Sequence, residues 1–123
     1  MNPIVLIVDD VDATRTGLAQ LLQLLGYDTL EASNGDDGLR RLREEPGIRV
    51  VVLDLLMPGS NGYWFREQQL QDAAIADIPI IVFTGSETND ALIQALKVTE
   101  VLQKPVSADA LCDAVRRHCH TSG

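Results

Sequence analysis

Short, fully apolar runs alternate with amphipathic stretches along the whole chain. Ile4 to Val8 is continuous and rich in β-branched residues, the pattern of a strand buried on both faces. Leu18, Leu21, Leu22 and Leu25 then recur at helical spacing, with Gly26 as a C-terminal stop. Tyr27 to Ala32 reads as a more polar strand suited to a sheet edge. Asn34 is placed to cap a helix that carries Leu39 and Leu42 and ends near Pro46-Gly47. Val50 to Leu53 is a third strand, and Tyr63 to about Ala74 a helix. Pro79 to Phe83 is a fourth strand, Thr88 to Leu96 a shorter helix and Val101 to Gln103 a short fifth strand. Ser107 caps a last helix with Leu111, Cys112, Val115 and Cys119 on one side.

Five β-then-α units in series predict an α/β fold: a doubly wound parallel sheet of five strands, with helices on both faces and right-handed crossovers. No internal repeat, low-complexity tract or interdomain linker interrupts the pattern, so residues 1–123 are expected to form a single domain with its core in 3–119. His120 to Gly123 reads as a frayed tail or as a point where a longer protein was cut. Met1, two residues before the motif region, reads as a native N-terminus, and an output domain beyond the C-terminus stays open.

A length of 123 residues suffices for a core without staples. Aromatic residues make up 4% of the chain against 46% hydrophobic, so that core must be aliphatic. The net charge of -8 argues against direct binding to nucleic acid or an anionic membrane, both of which call for a basic face. The apolar run from Ile4 to Val8 is far too short to span a bilayer, and no leader precedes it. A cytoplasmic protein is expected. Cys112 and Cys119 lie on one predicted helix, roughly 10 Å apart in rise and beyond disulfide reach. With His118 and His120 they invite a metal reading, but no paired-cysteine knuckle is present and both fall on the apolar face, where cysteine acts as a small hydrophobe.

The chemically distinctive residues stand at strand ends. Asp9-Asp10 follow the first strand, Asp54 the third, Thr84 the fourth and Lys104 the fifth. In an open parallel sheet, ligands bind outside the carboxyl ends of the strands, where strand order reverses. If the first and third strands are neighbours, three carboxylates crowd one crevice, an arrangement that is stable only with a cation or raised pKa values. Hard carboxylate oxygens suit Mg²⁺ or Mn²⁺. The set also meets the needs of phosphoryl transfer: a positioned carboxylate to attack, an ammonium at Lys104 and a hydroxyl at Thr84 to stabilise charge on the transferred group.

At this point the chain resembles the response-regulator receiver domains of the CheY-like superfamily, over essentially residues 3 to 119. The resemblance is carried by Val8-Asp9-Asp10, by Asp54-Leu55-Leu56-Met57-Pro58-Gly59-Ser60-Asn61-Gly62, by Phe83-Thr84-Gly85 and by Lys104-Pro105. It implies strand order 2-1-3-4-5. It further implies that Asp54 accepts a phosphoryl group from a sensor histidine kinase or histidine phosphotransfer protein, and that the domain then acts on an output domain or target protein. Asp10, Asp54 and the Leu56 backbone carbonyl would hold Mg²⁺, with Asp9 acting largely through water. Lys104 would contact the phosphoryl group, Thr84 would swing towards it as the switch, and the Lys104-Pro105 bond would be cis. Such a domain phosphorylates itself and slowly loses phosphate, but is not a turnover enzyme.

The chain departs from the family pattern at two places. The aromatic residue usual three positions before the lysine is Val101 here, so a switch that couples threonine to an aromatic rotamer is not expected. The stretch from Thr84 to Lys104 is short, which predicts a truncated fourth helix or exit loop on the face many receivers use for signalling or homodimer formation. Leu56 and Ser86 occupy positions that vary in the family and tune phosphoryl lifetime.

Other chemistries place different demands on the same positions. A haloacid-dehalogenase-type phosphohydrolase wants a second aspartate where Leu56 stands. A flavodoxin-like electron carrier wants a Gly/Ser/Thr-rich phosphate loop where Asp9-Asp10 stand, and two aspartates repel a phosphate. A pseudo-receiver scaffold that is never phosphorylated would not need the acidic and lysine positions. Blander readings make Asp9-Asp10 a helix start, Asp54 a loop-starting residue, Thr84-Gly85 a plain turn and Lys104 an exposed lysine. Trp64 is read as a half-buried helix residue in preference to a partner contact, and Arg40, Arg41 and Arg43 as a solvated helix face.

Overall fold

The structure is a computed structural model that describes residues 2–55, 61–85, 90–103 and 107–119. Among them, strands β1 (Ile4–Val8), β2 (Asp28–Ala32), β3 (Ile48–Asp54), β4 (Ile80–Thr84) and β5 (Glu100–Gln103) alternate with helices α1 (Asp12–Leu24), α2 (Gly35–Glu44), α3 (Gly62–Leu70), α4 (Asp90–Ala95) and α5 (Ala108–His118). All strand pairs are parallel, in the order β2-β1-β3-β4-β5. The expected sheet is therefore the observed one, with the more polar β2 at an edge.

Successive side chains of a strand point to opposite faces, and the apolar runs supply both faces at once. Leu6, Val8, Val51, Leu53, Ile80 and Val82 pack with Leu39 and Leu42 of α2, Phe65 of α3 and Ile93 of α4. Val5, Ile7, Val50, Val52, Ile81 and Phe83 pack with Ala19 and Leu22 of α1 and with Leu111, Ala114 and Val115 of α5. Two aliphatic layers thus clamp the sheet. Cys119 belongs to the second layer, while Cys112 is half-buried, and both are free thiols.

Helix ends follow the local chemistry. The Asn34 side chain accepts the Asp37 N–H at 2.8 Å and Ser107 accepts the Ala110 N–H at 3.0 Å, as expected for N-caps. Gly26, with φ of 97°, turns the chain out of α1. Asn61, not foreseen as a cap, accepts the Trp64 N–H at 3.0 Å and starts α3. That helix stops at Leu70, four residues short of the expected end. The cause is Asp72: its carboxylate accepts the Ala74 N–H at 3.1 Å and its carbonyl accepts from Ile75 and Ala76, which favours local turns over a continued helix. The α4 exit is tight, with Lys97 in the left-handed region at φ of 53°.

Two interior features were not legible in the hydrophobic pattern. Arg66 of α3 is only 6% exposed. It donates to the carbonyls of Leu96 and Lys97, each at 2.9 Å, and to Gln69 Oε1 at 2.6 Å. Gln69 is fully buried and passes the tie on, donating from Nε2 to Ile75 O and Ile78 O at 2.9 and 3.0 Å. One arginine–glutamine pair thereby fastens the α4 exit and the approach to β4 onto α3. Burial, with water withdrawn from the cation, pushes the Arg66 guanidinium below its usual pKa. The second feature is Gly62, whose N–H donates to Leu55 O at 3.1 Å. A Cβ there would lie 2.6 Å from the Asp54 carbonyl oxygen and 2.7 Å from the Leu55 Cα. Only glycine lets α3 start this close to the end of β3.

Arg66→Ala is expected to cost about 2–3 kcal/mol in a urea titration, because it strips charge-assisted donors from buried carbonyls. Gly62→Ala is expected to cost about 1–3 kcal/mol by the same measurement, since the opposing atoms are backbone and cannot rotate away. A wild-type midpoint for either variant would contradict the corresponding assignment.

Candidate functional site at the carboxyl edge of the sheet

Register alone brings the acidic residues together. Val8 of β1 lies beside Ala32 of β2 on one side and Leu53 of β3 on the other, so the next residues, Asp9 and Asp54, leave the sheet side by side. Asp54 lies beside Phe83, and Thr84 follows at the end of β4. β3 runs from Ile48 to Asp54, longer than the expected Val50–Leu53, and so takes in Asp54 as its last residue. Asp9 is fully buried, and Asp54 and Thr84 are 2% and 1% exposed, whereas Asp10 is exposed. Carboxylate oxygens of Asp9, Asp10 and Asp54 lie within 4.8 Å of one another.

The Asp9 turn is well held. Its N–H donates to Ala32 O at 3.0 Å, and its Oδ1 accepts the Val11 N–H at 2.9 Å. This contact lets the chain turn from β1 into α1 while a carboxylate stays at the strand end. The acidic trio suits a hard cation: two carboxylates are buried, one is open to solvent, and all can offer oxygen. The Thr84 hydroxyl is directed weakly, at 3.5 Å, towards Gly85 O.

Of the other residues singled out by sequence, Val101 lies on β5 beside Val82 and is 40% exposed. Leu56, Ser86, Lys104 and Pro105, together with 120–123, lie outside the described residues. Trp64 is half-buried against the α2–α3 layer. Arg40 pairs with Asp37 and Glu44, Arg41 with Asp37 and Arg43 with Asp72, in keeping with a solvated face. Among the described residues, no helix is long and apolar enough to cross a membrane.

The site residue that sequence reasoning missed is Arg15. Its guanidinium contacts Asp12 Oδ1 at 2.7 Å, Glu31 Oε1 at 3.0 Å and the Asp9 backbone carbonyl at 2.9 Å. Burial works against the cation, but the hydrogen bonds and charges of Asp12 and Glu31 outweigh it and raise the Arg15 pKa. The pairing with Asp12 at i, i+3 was available as a signal; the reach to β2 was not.

Comparison with known proteins agrees with this geometry. Residues 5–116 match the response regulator receiver domain family. The chain is 34% identical to protein PilH of Pseudomonas aeruginosa over 113 residues, covering 90% of this chain and 93% of PilH. It is 37% identical over 120 residues to the C4-dicarboxylate transport transcriptional regulatory protein DctD of the same organism, covering 92% of this chain but 24% of DctD. The fold superposes on a response regulator receiver protein from Pseudomonas putida with a TM-score of 0.88 at 27% identity, covering 95% and 98% of the two chains. With its five-stranded parallel sheet in the order 2-1-3-4-5 and its acidic carboxyl edge, the chain belongs to the response regulator receiver domain family of two-component systems.

Proposed function

We propose that residues 1–123 form one receiver unit in which Asp54 is the phosphoacceptor in a reaction that depends on Mg²⁺ or Mn²⁺. The observation that carries this reading is the convergence of the Asp9, Asp10 and Asp54 carboxylates within 4.8 Å, at a strand end beside buried Thr84. An oxygen of the Asp54 carboxylate attacks the phosphorus of a phosphohistidine. The P–N bond breaks, its electron pair returns to the imidazole, and an acyl phosphate remains on Asp54.

Asp10, Asp54 and the Leu56 carbonyl would hold the cation, with Asp9 acting through water. When bound, the cation neutralises the carboxylate cluster and the phosphoryl oxygens. Lys104 adds a second positive charge, and Thr84 supplies a hydroxyl that follows the phosphoryl group. The resemblance implies that the bond from Lys104 to Pro105 would be cis. Leu56 and Ser86 would tune the lifetime of the acyl phosphate. With Val101 in place of an aromatic side chain, the Thr84 displacement is read out by repacking around β5. The donor is a sensor histidine kinase or phosphotransfer protein in the cytoplasm, and the recipient of the signal is an output domain or target protein.

Incubation with acetyl phosphate and Mg²⁺ is expected to give an acid-stable, base-labile adduct at Asp54, detected by intact mass and peptide mapping. Asp54→Ala should abolish it, as should chelation of the metal. A wild-type chain that forms no adduct would point to a scaffold that is never phosphorylated. Leu56→Asn is expected to alter the rate of phosphate loss from the isolated domain; an unchanged rate would remove Leu56 from the lifetime assignment.

A further inference from the structure

We propose that Arg15 is a positioning residue for the cation site, acting through the Asp9-Asp10 turn and not by touching cation or substrate. This inference rests on the reading of the acidic cluster as a metal site.

The turn from β1 into α1 carries two of the three carboxylates, so its backbone must be fixed if they are to stay in place. Asp9 is fastened on three sides: its N–H to β2, its Oδ1 to the Val11 N–H, and its carbonyl to Arg15 Nη1 at 2.9 Å. The third tie involves the peptide group that joins Asp9 to Asp10, so it bears on the orientation of the exposed Asp10 as well. Arg15 is itself held rigidly. Its side chain is 14% exposed, and Nε and Nη2 engage Glu31 on β2 and Asp12 on α1, at 3.0 and 2.7 Å. Glu31 is also fixed by the Thr16 hydroxyl, which donates to the same Oε1 at 3.2 Å. A planar fork with fixed donors can satisfy three acceptors from three elements at once; a lysine ammonium on a flexible stem cannot hold that geometry.

The sign of the effect separates positioning from simple charge. Arg15 is a cation near a cation site, so Coulomb's law alone makes it unfavourable for Mg²⁺, and deleting the charge would tighten binding. Positioning makes the opposite prediction. Arg15→Lys isolates the geometry because it keeps the charge. Outer partners that orient ligands typically change metal affinity by about 10–100-fold when removed.

Mg²⁺ is titrated into the full chain without any phosphodonor, and the dissociation constant is read from amide chemical shifts. Arg15→Lys is expected to weaken Mg²⁺ about tenfold. Glu31→Asp, which keeps the charge but withdraws the carboxylate from Arg15, should weaken it by about two- to threefold. Arg43→Lys, the same substitution at the remote pair with Asp72, should leave affinity within about twofold of wild type. Should Arg15→Lys fail to fold, Glu31→Asp carries the test, since it changes no charge and unchanged affinity there would overturn the proposal. Unchanged or tighter binding in a folded Arg15→Lys chain would overturn the proposal, and so would a wild-type chain that does not bind Mg²⁺. A wild type that binds Mg²⁺ yet takes no phosphoryl group would sink the phosphoacceptor reading alone and leave the Arg15 role standing.

Discussion

Three carboxylates held within 4.8 Å repel one another, and the rest of the site exists because the sheet forces them into that proximity. Two unit charges at such a distance near a protein surface interact with on the order of 3–4 kcal/mol at an effective dielectric near 20. The arrangement follows from the backbone. It is imposed by the pairing of Val8 with Leu53, which leaves Asp9 and Asp54 side by side where β1 and β3 end. The aliphatic layers on both faces hold that pairing, since a slip by one residue would move every side chain of a strand to the other face. Carboxylates grouped in this way suit a hard cation.

Small local devices convert this register into a usable site. Asn61 and Gly62 allow α3 to begin almost in contact with the backbone of Asp54 and Leu55, so the helix and the reactive strand end are mechanically joined. Arg66, one turn further along α3, grips the carbonyls at the α4 exit. Hydrogen bonds and close packing therefore link the end of β3 through α3 to the exit of α4 at Leu96 and Lys97, while Val101 on β5 stands 40% exposed. Arg15 plays a comparable part on the other side of the site, joining β1, α1 and β2.

The parallel sheet was legible because strands buried on both faces appear as unbroken apolar runs, and because the reactive residues stand directly at their ends. Asp9, Asp54 and Thr84 could be placed from that fact alone. The caps at Asn34 and Ser107 were legible because they are short-range chemistry. Arg66 and Gln69 were not, since polar residues three apart on a helix resemble a solvated face and their partners are backbone carbonyls as much as thirty-one positions away. The early end of α3 was hidden for a different reason: Asp72 competes for backbone N–H groups only once the chain has begun to turn. Arg15 shows both effects, with one partner nearby in sequence and two that only the folded sheet supplies.

If strand register makes one phosphoryl-binding crevice of Asp54, Asp9 and Asp10, cation and phosphoryl group must both sit there. This requirement is tested most directly by a crystal structure of the chain with Mg²⁺ and beryllofluoride. The account predicts beryllium bonded to a carboxylate oxygen of Asp54, with one Mg²⁺ coordinated by Asp10 and Asp54 and linked to Asp9 through water. Beryllofluoride on another residue, or a cation that leaves the Asp9-Asp10-Asp54 cluster empty, would contradict it.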